Sequence, residues 1–75
     1  MRPFILKLIR KYKKLYKLDN WDIDLEISPH LNTTILNKKN CGYALLIINK
    51  QESQSPKEIE DIVIRELGKL KEHNG

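Results

Sequence analysis

From Pro3 to Leu18 the apolar residues Phe4, Ile5, Leu8, Ile9, Tyr12, Leu15 and Tyr16 return at steps of three and four. That spacing predicts an amphipathic helix with one buried stripe. Asp19 and Asn20 interrupt it, and Trp21-Asp22-Ile23-Asp24-Leu25-Glu26-Ile27 then alternates strictly between apolar and acidic. A half-buried strand has this pattern, with Trp21, Ile23, Leu25 and Ile27 on one face and three carboxylates on the other. The three acids are assigned to a solvated surface, in preference to a metal or basic-partner patch. Pro29 ends the strand. Thr33 to Asn37 is a weaker strand, and Asn37-Lys38-Lys39-Asn40-Cys41-Gly42 supplies the turn chemistry of a hairpin.

Tyr43 to Asn49 is apolar almost without a break, as in a strand covered on both faces or central in a small sheet. After the polar stretch Gln51 to Gln54, Ser55-Pro56-Lys57-Glu58 sets an N-cap serine, a first-turn proline and a capping-box glutamate in order. The second helix therefore starts here and runs to about Glu72, with Asn74 and Gly75 as stops. The predicted fold is α+β in the order α-β-β-β-α, a small, mostly antiparallel sheet of about three strands with two helices packed on it. The expected core is Phe4, Leu8, Ile9, Tyr12, Trp21, Ile23, Leu25, Leu45, Ile47, Ile59, Val63, Leu67 and Leu70.

With 75 residues, the chain is expected to form one domain, 1–75. A single cysteine, Cys41, closes no internal disulfide and makes no four-cysteine zinc site, so a reducing, cytoplasmic setting is expected. The longest apolar run, Tyr43 to Ile48, falls far short of a membrane span, and no signal-peptide core opens the chain. The net charge of +4 is unevenly held: residues 1–18 carry +7 and residues 19–75 carry −3. Lys, Ile, Leu and Asn make up 38 of the 75 residues, a bias that points to an AT-rich genome, such as that of a microbe, a virus or a mobile element. For a viral source the location becomes the infected host cell.

Winding the second helix at about 100° per residue places Ile62, His73, Glu66, Ile59, Leu70, Val63 and Leu67 in one arc. Glu66 lies inside the apolar arc. A carboxylate there is paired, sits at the open end of the core, or belongs to a site. Arg65 and Lys69 flank it, with Asp61 and Glu72 spaced to pair with them.

The segment Glu60-Asp61-Ile62-Val63-Ile64-Arg65-Glu66-Leu67-Gly68-Lys69-Leu70 resembles the active-site helix of zincin metallopeptidases, whose His-Glu-x-x-His core is often extended to His-Glu-Leu-Gly-His-Leu. The resemblance extends to the order of elements: a first helix, a strand beginning Trp-x-Ile, a short sheet and a Pro-capped helix. It implies a truncated zincin-like domain. Arg65 and Lys69 occupy the positions of the two zinc-binding histidines, and the general-base position alone, Glu66, is kept. A zinc ligand must offer a lone pair. Arginine keeps its proton, and freeing the Lys69 amine would cost roughly 4 to 5 kcal/mol at pH 7. The family's third ligand lies well beyond this helix, and nine residues follow Glu66. The resemblance thus implies a pseudoenzyme without catalytic residues, metal or cofactor, in which Arg65 and Lys69 neutralise Glu66. An ordinary amphipathic helix carrying the same letters by chance is the alternative. Both exclude hydrolysis, and an enzyme relying on Glu66 alone is a third reading.

His30, Cys41 and His73 are too far apart in sequence for paired metal ligation. His73 reads as a helix-end cation and Cys41 as a small turn residue. Lys7, Arg10, Lys11, Lys13, Lys14 and Lys17 surround the polar side of the first helix, with Tyr12 and Tyr16 between them. A solvated face leads among the readings; nucleic-acid phosphates or another acidic partner come next, then an anionic membrane surface. The leading function is a non-catalytic, metallopeptidase-like binding or regulatory module, with a small basic nucleic-acid-binding protein as the alternative. A homodimer is compatible with either.

Overall fold

A computed structural model describes residues 2–38, 42–52 and 55–74. Its order is α1 (Arg2–Leu15), β1 (Asp22–Ser28), β2 (Thr34–Lys38), β3 (Tyr43–Asn49) and α2 (Pro56–Asn74), with a short 3-10 turn at Lys50–Glu52. The class is α+β and the sequence of elements is α-β-β-β-α, as the patterns predict.

One boundary of each helix has a visible chemical cause. Ser55 Oγ accepts the Glu58 N–H at 3.2 Å, so the serine caps α2 and Pro56 fills a position whose amide needs no partner. At the other helix the Leu18 N–H reaches the Lys13 carbonyl at 2.8 Å and the Lys17 N–H reaches Lys14 at 3.2 Å, which together form a Schellman closure. Lys17 takes the left-handed position, φ 57°, that glycine usually fills. The closure drives Leu18, fully buried, into the core. α1 therefore ends at Leu15, three residues before the apolar periodicity does.

The sheet is mixed, where its local hairpin signals predict a mostly antiparallel one. The strand order is β1-β3-β2. β3 pairs antiparallel with β2 and parallel with β1, the latter from Asp22↔Tyr43 to Ser28↔Asn49. The connection after β1 crosses the end of β3 and is pinned there. Asn49 donates its backbone N–H to Thr33 Oγ1 at 2.9 Å and its Nδ2 to the Leu31 carbonyl at 2.8 Å. β2 therefore starts one strand away from β1, and the hairpin returns β3 into the gap, running in the direction of β1.

Both helices cover one face of this sheet. Ile5, Leu8 and Ile9 of α1 and Ile59, Ile62, Val63, Leu67 and Leu70 of α2 join Leu25, Ala44, Leu46 and Ile48 in one core, with Leu18 and Trp21 closing one end. Two expected core members are placed differently. Phe4 is exposed and Leu45 is half-buried on the opposite face of the sheet, where Ile47 is buried as expected, while Ala44, Leu46 and Ile48 face the helices. A continuous apolar run has no alternation to declare which parity points inward. The choice is made by β1, whose Ile23, Leu25 and Ile27 stand in register with Ala44, Leu46 and Ile48.

Candidate functional site

α2 turns Ile59, Ile62, Val63, Leu67 and Leu70 inward, and Glu66 with them. The apolar arc read from the sequence, apart from His73, is the buried arc of the helix. Glu66 is 1% exposed, the one ionisable side chain so buried among the described residues.

Its carboxylate is fully partnered from its own helix. Arg65 Nε donates to Glu66 Oε2 at 3.0 Å. Lys69 Nζ donates to Oε1 at 3.3 Å and to Oε2 at 3.2 Å. The cationic side chains remain 56% and 55% exposed. Each cation thus keeps a share of its hydration while shielding a carboxylate that has almost none. Ion pairs of this kind avoid the full desolvation penalty of a pair buried on both sides. Among the described residues the expected partners Asp61 and Glu72 make no ion pair with Arg65 or Lys69, whose charged ends both reach Glu66 instead. A shallow depression beside the cluster is lined by Gln51, Glu58, Asp61, Ile62 and Arg65, and Glu66 does not open into it.

Gly68, between the two cations, is not required by crowding: a Cβ there would meet nothing within 4 Å. Among the described residues no group of three or more His, Cys, Asp or Glu side chains is placed to hold a metal ion. His30 is exposed in the connection after β1. Cys41 and the side chain of His73 lie outside the described residues.

The basic residues of α1 separate into two sets. Lys7, Arg10, Lys11, Lys14 and Lys17 are exposed, while Lys13 is half-buried. Lys11 lies 3.9 Å from Glu60 Oε2 and 5.3 Å from the centre of the Tyr12 ring, so part of its charge is answered within the molecule. Tyr12 and Tyr16 do not form an outward stacking platform. Tyr12 Oη donates to Glu60 Oε2 at 2.8 Å, the two rings lie 5.9 Å apart, and Lys71 sits over Tyr16 at 5.4 Å. The tyrosines seal the seam between α1 and α2. The acceptor Glu60 holds the Tyr12 phenol above its ordinary pKa. This long-range bond has no signal in the sequence, because it depends on how the helices cross.

Asp22, Asp24 and Glu26 are exposed on β1, as expected of a solvated row. Asp24 Oδ2 accepts from Tyr43 Oη at 2.9 Å across the parallel ladder, which raises that phenol's pKa as well. Two further interactions were invisible to pattern reading: this cross-strand bond and the one at 3.1 Å from Arg2 Nη2 to the Leu25 carbonyl, which ties the start of α1 to the edge strand.

No protein-family model matches the chain, and no curated protein or solved structure matches it. No helix among the described residues is long and apolar enough to cross a membrane.

Proposed function

We propose that this chain is a non-catalytic binding module, resembling a metallopeptidase domain in outline, in which an ion-pair cluster stands where the related enzymes hold zinc. The observation that carries this reading is the state of Glu66: 1% exposed, with both oxygens taken by Arg65 and Lys69. A general base must reach the proton it removes, by direct contact or through one water. The cations occupy the approach to this carboxylate, and their positive charges repel a metal dication.

The contact surface in this reading is the outer side of α1, where Lys7, Arg10 and Lys14 are exposed, have no acidic partner among the described residues and suit an acidic partner. Nucleic acid is the second reading for the same residues. It would depend on phosphate contacts alone, because Tyr12 and Tyr16 are engaged between the helices.

The test is metal loading. Purified protein equilibrated with excess zinc and desalted is expected to retain far less than one ion per chain. The double variant Arg65→His/Lys69→His places two imidazoles one helical turn apart around Glu66 and is expected to gain measurable zinc binding. Stoichiometric zinc on the unaltered chain would overturn the absence of a metal site. No gain in the double variant would remove support for the metallopeptidase likeness. For the second reading, a short DNA or RNA should bind with an affinity falling steeply in salt and weakening when Lys11 and Lys14 are changed to Glu.

A further inference from the structure

The open face of the sheet is unfinished by the ordinary rules of layered packing. All-parallel sheets occur almost only where both faces are covered, and strands buried on both faces read as near-continuous apolar runs. β3, parallel to β1, has the near-continuous apolar sequence of such a strand, yet both helices lie on one side of it. On the other side Leu36, 54% exposed, and the half-buried Leu45 form a short apolar patch beside Ile47, which is itself buried. Asp22, Asp24 and Glu26 of β1 border that patch in register with Tyr43, Leu45 and Ile47. Among the described residues of this face, Lys38 is the one cation.

Charge decides what can cover it. Two such faces brought together would set carboxylates against carboxylates, so the face is unsuited to pairing with itself. It calls for a basic helix or strand that also carries apolar side chains. The chain itself presents one. The outer side of α1 combines Lys7, Arg10 and Lys14 with two exposed apolar residues, Phe4 and Leu15, the latter 60% exposed. The dimensions also agree: a helix of 14 residues is about 21 Å long, and strands of 7 residues reach about 23 Å. Acids on alternate residues of β1 recur about every 7 Å, and the bases along α1 recur at about 5 to 6 Å.

We propose that the open sheet face receives α1 of a second copy of the chain, with Lys7 and Lys14 meeting Asp22 and Glu26 and with Phe4 and Leu15 covering Leu36 and Leu45. This rests on the reading of α1 as the contact surface and names its partner. The donor helix and the receiving sheet lie on opposite sides of one molecule, so the contact is head to tail and continues past two copies. It gives β3 its second covering layer and adds buried area to a domain too small to bury much alone.

Sedimentation velocity on the full chain across concentration and salt tests this. The weight-average mass is expected to rise from that of the 8.9 kDa monomer to at least double as concentration increases at low salt, and to fall back when salt is added. Asp22→Lys/Glu26→Lys and Lys7→Glu/Lys14→Glu should each remain monomeric under conditions where the unaltered chain assembles. An equimolar mixture of the two variants restores both opposed contacts and should regain the larger mass. All these positions are exposed, and circular dichroism checks that each variant is folded. A chain that stays monomeric throughout, assembly that survives either charge reversal, or a mixture that fails to reassemble would overturn the proposal. So would a monomer that binds a short DNA duplex through the same lysines, which would give α1 a different partner. None of these outcomes bears on zinc retention, so the two readings fail separately.

Discussion

The two sides of the sheet are built from the same three strands and treat their apolar residues in opposite ways. On the covered side Ala44, Leu46 and Ile48 are buried under two helices together with Leu25. On the open side Leu36 projects into solvent and Leu45 is half-buried, while Ile47 is buried between the neighbouring strands. Charge is also divided. Among the described residues, the covered side contains one buried carboxylate, Glu66, neutralised by cations of its own helix, whereas the open side displays a row of acids of which Asp24 alone has a partner, the Tyr43 hydroxyl. The lesson is that apolarity along β3 records two different settings, one sealed under the helices and one in which Ile47 is closed by its neighbours while Leu45 stays half-buried.

The strongest way to break this comparison is to truncate one leucine on each side. Leu46→Ala removes a fully buried side chain at the centre of the core and is expected to cost about 2 to 5 kcal/mol in urea unfolding. Leu36→Ala should change stability by less than about 0.5 kcal/mol for the isolated molecule, measured at high salt and low concentration. Equal costs would mean that the open side is covered.

Glu66 comes next in size. Removing both cations, in Arg65→Ala/Lys69→Ala, orphans a carboxylate that is 1% exposed and is expected to cost about 3 kcal/mol. That is the low end for an unpaired buried charge, because truncation lets water reach the site. Glu66→Leu, by contrast, leaves two cations that are already more than half exposed and should lie within about 1 kcal/mol of the parent, or above it. The asymmetry between these variants measures how far the cluster serves the carboxylate alone. Gly68→Ala is smaller: the site has open space and lies inside a helix, so a gain of about 0.5 to 1 kcal/mol in thermal unfolding is expected.

The sequence made the helices and the ends of β3 readable because their signals are local. Ser55, Pro56 and Glu58 mark a helix start within four residues, and the position of Glu66 follows from helical spacing alone. The apolar stripe of α1 was equally plain, but its end was not, since Lys17 adopts a backbone conformation that its side chain does not advertise. The parallel pairing of β1 with β3 was hidden because it depends on Asn49 holding the connection after β1, a contact across many residues. Which face of β3 turns inward was hidden for a related reason: Tyr43 to Ile48 has no polar position to set the parity. The basic residues of α1 were legible as a set, whereas the engagement of Tyr12 and Lys11 with Glu60 required the helix crossing.

The smallest effect sharpens the comparison at high pH. Tyr43 on the open side and Tyr12 on the covered side each donate a phenolic hydrogen to a carboxylate, and in both the bond raises the phenol's pKa above its ordinary 10.0. A phenol with a raised folded-state pKa contributes stability that is fully present below pH 10 and is lost as pH rises through the folded value. The melting temperature of the unaltered chain should therefore decline above about pH 10, where the hydroxyls deprotonate and set a phenolate beside Asp24 or Glu60. Tyr43→Phe and Tyr12→Phe should each flatten part of that decline and leave the neutral-pH melting point nearly unchanged. If α1 of a second copy lies over the open face, the Tyr43→Phe effect should shrink as protein concentration rises, because a cation brought near Asp24 and Tyr43 favours the phenolate. The Tyr12→Phe effect, set by the seam between helices of one molecule, should not change with concentration.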